Sequence, residues 1–207
     1  MEMFDLMIGY FGPQHWWPCE SELEMMVGAV LTQNTSWNNV EKAINNLKAK
    51  KLLTLKTLHS ISLHELTEDI RPAGYFNVKA GRLKNLISFL VEKYHGDIEF
   101  FLGEETDALR EGLLSVKGIG PETADSILLY AAKRPVFVID AYTHRILHRH
   151  GMSDDQASYY DLQELFMDSL PKDAELFNEF HALIVRTGKE LCRRKPQCDI
   201  CPLKKWE

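Results

Sequence analysis

The sequence predicts an all-α protein. Apolar residues recur at the i, i+3, i+4 and i+7 spacing of one helix face in five segments, and polar or Gly/Pro-containing breaks separate those segments. The only run with β character, residues 135–139, is too short and isolated to build a sheet. We expect about ten helices in total. The five apolar stripes are carried by Leu23–Leu31, Val40–Leu47, Leu83–Tyr94, Ala124–Ala131 and Leu176–Ile184.

The composition is that of a soluble globular protein. Of the 207 residues, 45% are hydrophobic and 26% are charged, which excludes a mainly disordered or fibrous chain. The longest apolar stretch, Met25–Leu31, is far shorter than the ~20 residues of a membrane span. The N-terminus lacks the basic region of a secretory signal, so we expect a cytoplasmic protein with no membrane partner. The net charge of −6 does not favour nucleic acid, so DNA binding must rest on local features.

Residues 113–125 predict two helices joined by a tight, phosphate-binding turn. The turn is Gly118-Ile119-Gly120, and Pro121 stands at the first position of the next helix, which proline favours. The two glycines permit positive φ and leave the backbone bare, and bare N–H groups at a helix N-terminus suit a phosphate. A Gly-rich corner is the simpler alternative. The full pattern, with Ile119 able to plug between the helices, favours a helix-hairpin-helix that binds DNA backbone without sequence preference.

A second motif follows at Asp140. This residue comes after four apolar residues and precedes a segment rich in His and Arg. Its simplest role is that of a helix N-cap, a position at which Asp is among the best residues.

Taken in this order, the motifs resemble the endonuclease III superfamily of DNA glycosylases, whose signature is a helix-hairpin-helix, a Gly/Pro-rich loop and an Asp. Residues 28–35 resemble the first core helix of that family, with its DNA-probing glutamine at Gln33. The resemblance implies two helical lobes with a DNA cleft between them. Residues 20–132 would form a six-helix core, and residues 1–19 with 133–207 a second lobe that carries the cysteines. We expect a monomer that acts on double-stranded DNA containing a damaged base.

The resemblance also implies roles for individual residues. Asp140 would be the catalytic carboxylate, which stabilises the oxocarbenium charge that develops on the sugar and orients or deprotonates the attacking water. Lys117 and Gly118-Ile119-Gly120 would grip phosphates, and Gln33 would wedge toward the gap left by the flipped base. Family members that also nick the strand carry a Schiff-base Lys two residues after the second hairpin glycine. This chain has Glu122 there, so we expect a monofunctional glycosylase that leaves an abasic site.

Three tryptophans indicate which base the protein excises. Trp16, Trp17 and Trp37 resemble aromatic residues that line the base pocket in the 3-methyladenine DNA glycosylase III branch, and Glu122 would border the same pocket. Stacked aromatics suit an alkylated purine such as 3-methyladenine, whose positive charge gains ~1–2 kcal/mol from cation–π contact. Core packing is the alternative for the tryptophans. The rival functions are an endonuclease III-like glycosylase and AP lyase acting on oxidised pyrimidines or mismatches, and a non-catalytic DNA damage-binding module.

The cysteines are unevenly placed. Cys19 is alone, whereas Cys192, Cys198 and Cys201 crowd the C-terminal segment, which in a cytosolic protein favours a metal over disulfides. Their spacing resembles the four-cysteine iron–sulfur motif of the family, but the first gap is one residue short and Glu207 occupies the fourth position. A [4Fe–4S] cluster would therefore need a non-cysteine or external ligand, or a Cys supplied by a longer chain. Zinc and a metal-free segment are the alternatives.

Overall fold

A computed structural model describes residues 1–206 of the chain. This part contains twelve α-helices, three 3-10 helices and no β-strand, so the all-α prediction is confirmed. The α-helices are α1 (Glu2–Phe11), α2 (Glu22–Thr32), α3 (Trp37–Ala49), α4 (Leu55–Ser60), α5 (Leu63–Asp69), α6 (Phe76–Tyr94), α7 (Ile98–Leu102), α8 (Thr106–Ser115), α9 (Pro121–Tyr130), α10 (Ala141–Arg149), α11 (Tyr159–Ser169) and α12 (Ala174–Glu190). The 3-10 helices are Arg71–Ala73, Cys198–Ile200 and Pro202–Lys205.

The chain forms two compact units. Cys19–Ala132, with α2 to α9, is called the hairpin unit below. Met1–Pro18 and the chain from Lys133 onward, with α1 and α10 to α12, are called the terminal unit. In the part of the chain that the structure describes, none of the helices combines the length and apolar character needed to cross a membrane.

The core of the hairpin unit is built around α2. Every residue of α2 from Leu23 to Leu31 is buried, and the helix packs against α3, α6 and α9. A helix that is covered on all sides belongs at the centre of a bundle, where it loses its surface to several neighbours at once. The one acidic residue in that buried stretch, Glu24, forms an ion pair with Lys48, with 2.8 Å between Oε1 and Nζ. At the other end of α2, the Leu31 carbonyl accepts a hydrogen bond from Lys79, and Gln33 follows two residues later.

The terminal unit is organised by α12, which packs against α1 and α10. The contact with α10 is close: a Cβ atom on Gly188 would lie 2.5 Å from Cδ1 of Tyr142. The extended segment that leads into α10 is held by an aromatic cluster. Phe137 stacks on Phe166 with 4.0 Å between ring centroids, and its backbone oxygen accepts a hydrogen bond from Gln163 Nε2 at 2.7 Å. This packing fixes the position at which α10 begins.

Candidate functional site

The predicted hairpin lies between α8 and α9. Gly118 has φ of +98°, a conformation that favours glycine. Ile119 is buried, and its N–H donates to the Val116 carbonyl at 3.0 Å, which closes the turn. Gly120 is the N-cap of α9 and provides no side-chain cap. Because the first N–H groups of a helix have no intrahelical acceptor, this end of α9 can bind an anion.

An ion pair ties the two hairpin helices together. Arg110 of α8 reaches Asp125 of α9 with two parallel contacts, Nε to Oδ1 at 2.6 Å and Nη2 to Oδ2 at 3.1 Å. The Asp125 side chain is fully buried, whereas that of Arg110 is 23% exposed. A bidentate guanidinium–carboxylate pair is directional as well as strong, so it sets the angle at which α8 and α9 meet.

Side chains from elsewhere in the hairpin unit contact the turn itself. Gln33 Nε2 donates to the Gly118 carbonyl at 3.2 Å and to Thr123 Oγ1 at 2.9 Å. Asn85 Nδ2 donates to the Lys117 carbonyl at 2.9 Å, and Arg82 donates to Oε1 of Gln33. The structure thus brings Gln33 to the hairpin, while its role as a wedge stays a prediction. Sequence reasoning missed Arg82 and Asn85, because two polar residues on a helix carry no signal of what they face.

Lys79 is a buried lysine that supports this arrangement. Only 1% of it is exposed, and its Nζ donates to the carbonyls of Leu31 and Ala73, both at 2.8 Å. Desolvation lowers the pKa of Lys79 to about 8, and the positive charge of Arg82 contributes to the shift. The Leu31 carbonyl lies at the end of α2, so Lys79 anchors the helix end from which Gln33 extends. No feature of the sequence pattern singled out this residue.

Asp140 is the N-cap of α10. Its Oδ1 accepts hydrogen bonds from the backbone N–H of Thr143 at 2.7 Å and from Oγ1 of Thr143 at 2.9 Å. Its Oδ2 lies 3.8 Å from Nε2 of His181, and 11% of the Asp140 side chain is exposed. One carboxylate oxygen is therefore occupied by the cap, and the second is held in a nearly buried position. The positive end of α10 stabilises the negative charge there.

His181 on α12 is the residue beside Asp140 that sequence reasoning missed. It is buried, and desolvation lowers the pKa of His181 even though the nearby Asp140 carboxylate acts in the opposite direction. The neutral imidazole is therefore favoured near pH ~7, above the ordinary His pKa. A neutral neighbour leaves the negative charge of Asp140 available to act on a positive centre.

The predicted base-pocket residues fall in both units. Trp16 and Trp17 lie in the terminal unit, both half-buried, with 5.2 Å between their ring centroids. In the hairpin unit, Trp37 is the half-buried first residue of α3, and Glu122 is exposed in the first turn of α9. Their role in binding a base stays a prediction.

The cysteines of the C-terminal segment are neighbours. Cys192 is buried, Cys201 half-buried and Cys198 exposed. Burial raises the pKa of the Cys201 thiol, and the other two thiols act in the same direction. Arg149 Nη1 donates to Cys192 Sγ at 3.2 Å. Cys19 is exposed and forms no disulfide.

These residues do not complete a set of cluster ligands. Within residues 1–206, no group of three or more Cys, His, Asp or Glu side chains is arranged to hold a metal ion. Glu207, the fourth position of the motif, lies outside the described residues. A [4Fe–4S] cluster or zinc therefore stays a prediction.

Comparison with known proteins identifies the family. Residues 27–172 match the HhH-GPD superfamily of base excision DNA repair proteins. The chain belongs to this superfamily. The family predicted from the hairpin and the Asp140 motif is thereby confirmed.

Individual HhH-GPD relatives extend over nearly the whole chain. A protein of Methanocaldococcus jannaschii, provisionally named a DNA repair glycosylase, is 49% identical over 207 residues, which cover 99% of this chain and 94% of that protein. The crystal structure of a Helicobacter pylori 3-methyladenine DNA glycosylase bound to 1,N6-ethenoadenine is 30% identical, with a TM-score of 0.76, and the match covers 92% of this chain and 98% of that one. The protein in a non-covalent endonuclease III–DNA complex is 26% identical with a TM-score of 0.84, and the match covers 97% of this chain and 90% of that one.

Proposed function

We propose that this HhH-GPD protein is a monofunctional DNA N-glycosylase of base excision repair that excises an alkylated purine. The observation that carries the proposal is the placement of Asp140. Its Oδ1 is engaged as a helix cap and its Oδ2 is held in a largely desolvated position beside His181. Such a carboxylate is orientated before substrate arrives, as electrostatic stabilisation of a charged transition state requires.

The hairpin would hold the DNA backbone. The uncapped N-terminus of α9 and the bare backbone at Gly118 and Gly120 offer N–H groups to a phosphate. Contacts of this kind give affinity without base preference, so selection for damage must come from the flipped base. The protein carries a net charge of −6, so these local contacts would have to outweigh repulsion of the duplex.

In the reaction, the bond between C1′ of the sugar and the base nitrogen breaks, and its electron pair leaves with the base. Positive charge develops on the sugar, and Oδ2 of Asp140 stabilises it. Water then adds at C1′ and gives up a proton, for which the Asp140 carboxylate is the candidate acceptor. An alkylated purine already carries a positive charge and is a good leaving group, so the site needs no strong acid.

Two observations support an alkylated purine as the base that is excised. The similar H. pylori enzyme is named a 3-methyladenine DNA glycosylase and holds 1,N6-ethenoadenine in its structure. Trp16 and Trp17 present a pair of half-buried rings, on which a cationic base could stack.

The absence of lyase chemistry is proposed from Glu122. A carboxylate at that position cannot form the Schiff base through which a lysine nicks the strand. Borohydride reduction with damaged duplex should trap no covalent adduct, and a trapped adduct would refute this part of the proposal.

An endonuclease III-like activity on oxidised pyrimidines is the second candidate. It is favoured by the higher TM-score of 0.84 to an endonuclease III–DNA complex and by a Thermotoga maritima endonuclease III that is 30% identical over 185 residues, covering 87% of this chain and 79% of that protein. Release of bases from duplexes containing 3-methyladenine, thymine glycol or uracil separates the two candidates. Release of 3-methyladenine supports the proposal, whereas release of thymine glycol alone favours the second candidate. Release of no base, with tight binding to damaged duplex, would indicate a damage-binding module.

A further inference from the structure

Three side chains support the hairpin turn: Gln33 at the end of α2, and Arg82 and Asn85 on α6. We call these three residues the hairpin brace. Asn85 and Gln33 donate to two consecutive backbone carbonyls, those of Lys117 and Gly118, and Arg82 donates to Gln33. The hairpin pattern in the sequence explains the glycines but not these contacts.

The bond from Asn85 sets the direction of one peptide group. The carbonyl of Lys117 and the N–H of Gly118 belong to the same trans peptide and point in opposite directions. Because Asn85 Nδ2 holds that carbonyl toward α6 at 2.9 Å, the N–H of Gly118 is turned away from α6. An N–H group that points outward is what an approaching phosphate requires.

Gln33 fixes the next peptide group. Its Nε2 donates to the Gly118 carbonyl at 3.2 Å, and the same peptide carries the Ile119 N–H that closes the turn on Val116. Arg82 donates to Oε1 of Gln33. Because a guanidinium has only donors, this contact requires the oxygen of the amide to face Arg82 and its NH2 group to face the hairpin.

The packing of Arg82 against the turn requires glycine at position 118. A Cβ atom on Gly118 would lie 2.3 Å from Cγ of Arg82, so the stem of Arg82 lies directly against the bare Cα atom. Lys79, Arg82 and Asn85 follow one another at intervals of three along α6. Lys79 anchors the end of α2 through the Leu31 carbonyl, so one face of α6 holds both the hairpin and the helix end that carries Gln33.

We propose that Gln33, Arg82 and Asn85 are positioning residues that set the hairpin backbone for phosphate binding. The proposal rests on the proposed function only in taking the ligand to be the DNA backbone. It assigns Gln33 to the hairpin and therefore to binding of any duplex, which differs from a wedge that acts only where a base is flipped.

The test compares Gln33→Ala and Asn85→Ala with the full-length wild-type protein. Asn45→Ala is the matched control, because Asn45 is also an exposed helical asparagine and lies on α3. Three quantities are measured: the Kd for an undamaged duplex, the Kd for the same duplex carrying 3-methyladenine, and the amide hydrogen-exchange rate of Ile119 without DNA. Gln33→Glu is a further variant, since its carboxylate can accept from Arg82 but cannot donate to the Gly118 carbonyl.

Each brace variant should weaken binding of undamaged duplex by about 3- to 10-fold and speed Ile119 exchange by a similar factor, as expected when one hairpin carbonyl loses its side-chain donor. Gln33→Glu should speed Ile119 exchange as Gln33→Ala does, and Asn45→Ala should behave like wild type in every measurement. The proposal is overturned if Ile119 exchange stays at the wild-type rate, or if Gln33→Ala loses affinity only for damaged duplex. If the wild-type protein binds no duplex, the proposed function fails, while Ile119 exchange still decides whether the brace exists.

Discussion

Replacing Asp140 by asparagine separates its structural role from its catalytic role. The side-chain oxygen that accepts from Thr143 N–H at 2.7 Å is retained in asparagine, and Asn is as good an N-cap as Asp. What is lost is the negative charge at the N-terminus of α10, which contributes about 0.3–1 kcal/mol to the free energy of unfolding. We therefore expect Asp140→Asn to fold normally and to lose no more than about 1 kcal/mol of stability.

Alanine at the same position removes the cap as well as the charge. The backbone N–H of Thr143, a fully buried residue, then loses its acceptor, so Asp140→Ala should cost about 1–3 kcal/mol. In catalysis the two variants should be alike, because both lack the carboxylate that stabilises the sugar cation. The single-turnover rate should fall by about 10²–10³ in each.

The assay is base release under single-turnover conditions, with stability measured by urea denaturation and affinity measured on an undamaged duplex. Asp173→Ala is the control, because Asp173 caps α12 by accepting from the backbone N–H groups of Glu175 at 2.8 Å and Leu176 at 3.0 Å. It should lose about 1 kcal/mol of stability and no activity. The reasoning is refuted if Asp140→Asn turns over within about threefold of wild type, or if the loss of activity follows stability across the three variants.

Three further changes test the structure. Gly118→Ala should lose about 1–3 kcal/mol of stability and bind duplex more weakly, because the residue has φ of +98° and a Cβ atom would lie 2.3 Å from Arg82 Cγ; an unchanged denaturation midpoint would contradict this. Arg110→Ala removes the guanidinium that pairs with the fully buried Asp125 carboxylate, so the free energy of unfolding should fall by about 3–5 kcal/mol. In the double variant Arg110→Met, Asp125→Leu, much of that loss should be recovered. For His181, the folded-state pKa is lowered by burial, so the unfolded state binds more protons below about pH 6.5 and stability should fall as the pH drops through that value. Thermal melts from pH 8 to pH 5 should show a smaller decline in His181→Gln, and an identical decline would argue against the assignment.

The helices, the hairpin and the family could be predicted from the sequence because each depends on local chemistry. The spacing of apolar residues selects a helix face, and the glycines at 118 and 120 with Pro121 determine where one helix stops and the next begins. Asp140 was predicted both as an N-cap and as the catalytic carboxylate. The structure shows the cap, and the catalytic role remains to be tested.

The tertiary structure decided which side chains meet. Gln33 and Gly118 are 85 residues apart in sequence, and no periodicity connects them. Lysine is rarely fully buried, so the sequence does not indicate the burial of Lys79, and only the packing of α6 against α2 brings its ammonium to the Leu31 carbonyl. His181 lies within the segment Leu176–Ile184 but is not one of its apolar residues, and only the tertiary structure places it beside Asp140. A sequence pattern records what each residue does to its own helix or turn, whereas a site is formed by contacts between segments that are brought together only when the core packs.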